Sequence, residues 1–217
     1  MHELLGVVIK KEEMNLIMIG DELINLIESK MEKYNENLET GYHKVISIED
    51  AKKRYEEECS YNGRHDDLRI LAKKYREEGF EYFCEDSFKF LDRKEDGFYC
   101  DFNYYGKWDW FVIGGRFNDY LPQFVKDINN SYLFVYSNLY NKEEEGANAT
   151  QIKNIDFDKV DEDCGKFFLK NILLGDSWID LDKTYENNYE QMERDTKMIL
   201  TNQCDPEDYL FIVDFHY

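Results

Sequence analysis

Two stretches carry the side chains best suited to chemistry: Lys107 to Asn118, KWDWFVIGGRFN, and Val213 to His216, VDFH. The first places two of the three tryptophans, a carboxylate, a double glycine and an arginine within twelve positions. Asp109 and Arg116 can pair with each other, since a buried carboxylate needs a partner. Alternatively, Arg116, presented by the Gly114-Gly115 kink, can fork onto a phosphate or carboxylate of a ligand. Trp108 and Trp110 suit a sheet core, where a large apolar side chain contributes about 2 to 3 kcal/mol on burial, or a stacking platform for a base or sugar. Asp214 and His216 stand two apart in a strand-like run and so project from one face. That arrangement fits a metal-ligand pair or a carboxylate-oriented histidine base. His2 comes near them if the terminal strands pair, but no third metal ligand is evident, and no metal is assigned. The candidate ligand-binding residues are therefore Trp108, Asp109, Trp110, Arg116, Asp214 and His216. The chain contains no H-E-x-x-H, G-x-S-x-G, phosphate-loop or dinucleotide-binding pattern, so neither a catalytic residue nor a cofactor is assigned.

The elements that must position these groups follow from periodicity. Leu4 to Ile9 is an apolar run expected to form a buried strand, and Tyr209 to Phe215 is its counterpart at the other end. Spacing predicts helices over Asp21 to Leu38, Ile48 to Ser60 behind a Ser47 cap, Asp66 to Glu78 with Gly79 just past its end, and Tyr185 to Asn202. The last carries Tyr189, Met192, Thr196, Ile199 and Leu200 as its apolar stripe. Phe80 to Asp92 fits either a helix or a strand. Gly97 to Phe102 and Trp108 to Ile113 are expected to form a hairpin around Gly106, and Phe167 to Leu174 with Trp178 to Leu181 a second one. Tyr132 to Tyr136 is a further strand candidate, with a charged loop over Asn141 to Ala149. Alternation places Trp108, Trp110 and Val112 on one face of their strand and Asp109, Phe111 and Ile113 on the other. Both faces are largely apolar, which predicts a central strand covered on both sides. The whole chain is expected to form a single α+β domain over 1–217, a mostly antiparallel sheet with helices on one side and a ferredoxin-like core as one possibility, interrupted by a helical excursion over 47–79.

Composition bounds the function. The 217 residues include 16% aromatics, which is ample core material for a folded chain despite 34% charged residues. The formal net charge of −20 repels phosphate backbones and anionic lipid heads, so direct nucleic-acid and membrane partners are not expected. Either the charge serves solubility, or it favours a basic partner, including a host protein whose own ligand is nucleic acid. Five scattered cysteines without a C-x-x-C pair point to reduced thiols, and the N-terminus lacks a secretory pattern, so a cytoplasmic location is expected.

Several motifs can be taken together: Tyr34-Asn35-Glu36-Asn37-Leu38-Glu39, Lys107-Trp108-Asp109-Trp110 with Ile113-Gly114-Gly115-Arg116-Phe117, Gln151 to Asp156, and Val213-Asp214-Phe215-His216. In order and rough spacing they resemble a family of uncharacterised phage, prophage and bacterial proteins with a W-D-W-x-x-I-G-G-R-W/F centre and a C-terminal V-D-x-H. The chain departs from that pattern at Phe117, where tryptophan is usual, and the region from Ser47 to Glu78 reads as an elaboration. The resemblance implies a phage-associated setting and no particular reaction. Joined to the net charge, it leads to an expected non-catalytic protein-binding module, such as a counter-defence, anti-CRISPR-like inhibitor with a nucleic-acid-mimicking acidic surface. The alternative is a small-ligand or nucleotide-binding protein or enzyme with a pocket around Trp110, Arg116, Asp214 and His216.

Overall fold

The computed structural model describes residues 2–14, 21–63, 66–127, 133–134, 147–162, 165–185 and 188–216. The chain is α+β, with mostly antiparallel strands, and divides into two compact units. The larger comprises Met1–Asn35 with Lys107–Tyr217, and the smaller Glu36–Gly106. The helices expected as an excursion over 47–79 thus belong to a longer unit that also has a sheet of its own.

In the larger unit the two terminal strands, His2–Ile9 and Tyr209–His216, pair antiparallel over eight residue pairs, from His2 opposite His216 to Ile9 opposite Tyr209. Asn171–Leu174 lies parallel to the first strand and turns back into Ser177–Asp180. On the other side, the last strand pairs with Ala147–Gln151 through Tyr209 to Phe211 and with Trp110–Ile113 through Val213 to His216. Leu133–Phe134 completes a seven-stranded sheet among the described residues. The remainder of the strand expected over Tyr132 to Tyr136, and most of the charged loop after it, lie outside the described residues. This strand order departs from a ferredoxin-like core.

Alternation sorts the side chains cleanly. Leu5, Val7, Ile9, Phe211, Val213 and Phe215 meet Leu23, Ile27 and Met31 of the helix Asp21–Met31 on one face. Leu4, Val8, Ile172, Leu210 and Ile212 meet Met192, Ile199 and Leu200 of the helix Tyr189–Asn202 on the other. Helices therefore cover both faces rather than one, which accounts for terminal strands that are almost continuously apolar. These strands form the middle of the sheet. Trp110–Ile113, expected to be central, is a four-residue strand paired with the last strand alone, and its Trp110 and Val112 stay half-buried.

The smaller unit joins the helices Ile48–Cys59 and Asp66–Ser87 to a three-stranded sheet of His43–Ser47, Gly97–Cys100 and Asp92–Lys94. Ser47 caps the first helix by accepting from the Asp50 N–H. Gly79, at φ 88° and ψ −177°, interrupts the second. Phe80 to Ser87 then continues as helix, settling the ambiguous segment, because Phe83, Cys84 and Phe88 fall at the spacing that reaches Phe98 and Tyr75. The expected hairpin between Gly97 and Ile113 does not form. Gly97–Cys100 takes its partners from Asp92–Lys94 and His43–Ser47, whereas Trp110–Ile113 is claimed by the last strand.

Tyr75, only 4% exposed, donates its hydroxyl to Asp86 Oδ2 at 2.7 Å. Burial and this bond push the phenol from 10.0 up to about 12. A raised pKa favours the protonated form in the fold, so the stability it confers is complete below about pH 10 and is lost as pH rises toward about 12. Urea unfolding at several pH values should show Tyr75→Phe losing less stability than the parent protein across that alkaline window. Parallel losses would rule out Tyr75 as the source.

Candidate functional site

One end of the larger unit's sheet gathers polar groups from three distant parts of the chain. Alternation in the last strand turns Asp214 to the same face as Leu210 and Ile212, where it is 1% exposed. A carboxylate so placed must be satisfied within the fold. Its Oδ1 accepts from His2 Nδ1 at 2.9 Å, and its Oδ2 accepts from the Arg116 backbone N–H at 3.1 Å. Gly114 and Gly115, at φ 80° and 52°, turn the chain so that this N–H arrives. A Cβ on Gly115 would lie 2.7 Å from both Cβ and Oδ2 of Asp214 and 2.6 Å from Val112 Cγ1. A Cβ on Gly114 would collide with the side-chain oxygens of Asn118 and Asn148. The double glycine and the aspartate of VDFH are thus parts of one packing arrangement.

A second histidine–carboxylate pair stands beside the first. His216 Nδ1 bonds Asp109 Oδ1 at 3.0 Å, and the Asp109 N–H donates to the His216 carbonyl at 3.0 Å. The His2 and His216 rings meet edge-on with centroids 5.3 Å apart, and Trp110 meets His2 edge-on at 5.7 Å. In each pair the carboxylate accepts the Nδ1 hydrogen, which leaves Nε2 as the ring nitrogen outside the pair. Asp109 takes His216 as its partner and not Arg116, whose side chain is exposed. Trp108 is separated from the group. The chain bends at Asp109, so alternation fails there and Trp108 falls on the opposite face, buried against Phe111 with its Nε1 donating to the Met31 carbonyl at 2.9 Å.

Next to this cluster lies a cleft of about 770 Å³, and His2 is one of its lining residues. Phe117, Tyr120, Phe168 and Tyr189 supply aromatic surface, and Lys170 and Glu193 supply charge. Its walls are held from behind. The Leu169 N–H donates to the buried Thr196 Oγ1 at 3.0 Å, while the Tyr120 hydroxyl donates to the Phe168 carbonyl at 2.6 Å and accepts from the Phe168 N–H at 3.0 Å. Lys170 Nζ reaches Asp182 Oδ2 at 3.4 Å. None of Trp108, Asp109, Trp110, Arg116, Asp214 and His216 lines the cleft directly; all but Trp108 reach it through His2 or through Phe117, which follows Arg116.

Sequence reasoning did not single out Phe168, Lys170, Tyr189 or Glu193. Two weak signals were available. Phe167 and Leu169 are core-like neighbours that push Phe168 and Lys170 to the other side of an extended segment. Tyr189 and Glu193 are four apart on one helix face, and Tyr189, assigned to the apolar stripe, is in fact 48% exposed. Among the described residues no group of three or more His, Cys, Asp or Glu is placed to hold a metal ion, and no helix is long and apolar enough to cross a membrane. Burial pushes the Cys84 and Cys204 thiols up to about 11, so neither is a thiolate nucleophile at neutral pH.

No family model matches the chain, and neither a curated protein nor a solved structure matches it.

The Asp214 arrangement separates what Arg116 contributes through its backbone from what its side chain contributes. Gly115→Ala should cost about 1 to 3 kcal/mol, because it adds a clash to a left-handed backbone. Arg116→Ala keeps the N–H and should stay within about 0.5 kcal/mol of the parent. Urea denaturation of the two variants checks the contrast; an Arg116→Ala loss equal to that of Gly115→Ala would mean the guanidinium carries structural weight.

Proposed function

We propose that the larger unit binds a small organic ligand in the cleft beside the paired histidines, with His2 as the group that exchanges a hydrogen bond or proton with it. The observation carrying this reading is that His2 lines the cleft while its Nδ1 is committed to the buried Asp214. A carboxylate behind an imidazole fixes the ring's orientation and tautomer, which is the arrangement a histidine needs to act as a directed acceptor or a general base. A cleft of this size with aromatic walls and few polar groups is the usual form of a small-molecule site. His216, held by Asp109 next to His2, supplies a second oriented imidazole at the same end of the sheet. The resemblance to phage and prophage proteins remains compatible with this reading and gives no chemistry to it.

A fragment screen observed through the histidine ring resonances tests the proposal. Compounds that bind should shift the His2 signal, and secondarily that of His216, while leaving the half-buried His43 of the smaller unit in place. A screen in which binders move His43 or no histidine, but never His2, would sink the reading.

A second reading rests on the formal net charge of −20. An acidic protein of phage origin can occupy a basic groove on a host nucleic-acid-binding protein, as a counter-defence inhibitor would, and such association is fast and salt-sensitive. Retention of one basic host protein at low salt, with loss of most of it at about 0.5 M salt, is the expected outcome. Retention insensitive to salt, or of neutral proteins only, would count against it.

A further inference from the structure

We infer that the ligand of the cleft is a small organic cation, such as a quaternary or protonated amine, an inference that rests on the ligand-binding reading. Four aromatic side chains line the cleft, Phe117, Tyr120, Phe168 and Tyr189, and the rings of Phe168 and Tyr189 meet at 5.2 Å. The negative faces of aromatic rings attract a cation that has shed its water, and a group of such rings is the common way to hold an alkylated ammonium. The charged residues of the lining point the same way. Glu193 supplies a carboxylate, and the single lysine, Lys170, already has Asp182 at 3.4 Å to balance it. The Glu3 side chain shares the opposite face with Leu5, where it accepts from the Asn171 amide at 3.0 Å, and so lies outside this balance. An anionic ligand would meet the Glu193 carboxylate with one compensated ammonium to oppose it. The net charge of −20 adds a long-range field that concentrates cations and repels anions.

The histidine is also consistent with a cation. In the uncharged tautomer whose Nδ1 donates to Asp214, the His2 Nε2 is an acceptor, suited to a hydroxyl or ammonium N–H on the ligand. Phe117 and Tyr189 stand on separate segments of the chain, so a ligand touching both would be enclosed from two sides. The inferred recognition therefore has three parts: aromatic faces for the alkyl groups, the Glu193 carboxylate for the charge, and His2 for a polar substituent.

Calorimetric titration of the full chain with choline, its neutral carbon isostere 3,3-dimethyl-1-butanol and benzoate tests the inference. Choline should bind, with the isostere at least about five-fold weaker and benzoate weaker still. Glu193→Gln should weaken choline by about three-fold or more while leaving the isostere unchanged; Tyr189→Ala should weaken both. Since Tyr189 and Glu193 are not core residues, thermal unfolding of both variants should match the parent and exclude misfolding. Equal or tighter binding of the isostere or benzoate, or choline affinity untouched by Glu193→Gln, overturns the cationic assignment while the cleft survives as a ligand site. Absence of binding by all three probes, with the His2 resonance unmoved throughout a wider screen, overturns both.

Discussion

The arrangement depends on a carboxylate buried inside a sheet. Asp214 follows Leu210 and Ile212 on one face of the last strand and lies opposite Leu4 of the first, a position where an apolar side chain would cost nothing. An ionised group there costs several kcal/mol unless both oxygens find donors. The donors come from opposite ends of the sequence: His2 from the first strand and the Arg116 N–H from the turn after Trp110–Ile113. Register, turn geometry and histidine placement are therefore coupled. A one-residue slip of the first strand would move His2 to the other face and leave Oδ1 unsatisfied, and a side chain at Gly115 would fill the space Asp214 occupies. A buried polar group of this kind is a weak source of stability but a strong selector of a single register.

This coupling explains why the motifs were visible while their roles were not. Tryptophans, a double glycine and VDFH stand out by composition, yet the connection between Gly115 and Asp214 is a through-space contact across about a hundred residues. The sequence points first to the Arg116 guanidinium, as the most reactive-looking group near the glycines, whereas the structure employs its peptide N–H. Backbone donors carry no residue signature, so a role of this sort is invisible until the turn is seen. The position of Trp108 was lost for a related reason: strict alternation assumes an extended chain, and the bend at Asp109 breaks it.

Periodicity recovered the elements better than their partners. The apolar terminal runs, the Ser47 cap and the turn at Gly175-Asp176 were legible because each is a local signal. Pairing was not. The turn-like Asn103 to Gly106 suggested a hairpin, but Glu95-Asp96 had the equally local task of joining Asp92–Lys94 to Gly97–Cys100, and Trp110–Ile113 paired with the last strand instead. The cleft was less legible still. Phe117, Phe168 and the pair Tyr189 and Glu193 belong to three segments that are individually ordinary, and only their convergence makes a site.

Net charge and cleft then have different standing as guides to function. Charge is a bulk property, and on the helices of the smaller unit much of it is interleaved: Lys53 lies 3.9 Å from Glu57, and Lys73 3.7 Å from Glu77, each one turn apart. Such pairs contribute little to stability but break up a continuous anionic stripe. A surface that imitates a phosphate backbone needs acids in series without intervening bases, and these helix faces lack that pattern. The cleft is a local property, with aromatic side chains, a carboxylate and an oriented imidazole converging on one space. A negative field repels anions and attracts cations, so on the proposed reading the bulk charge and the local chemistry favour one sign of ligand without the surface itself having to be the binding site.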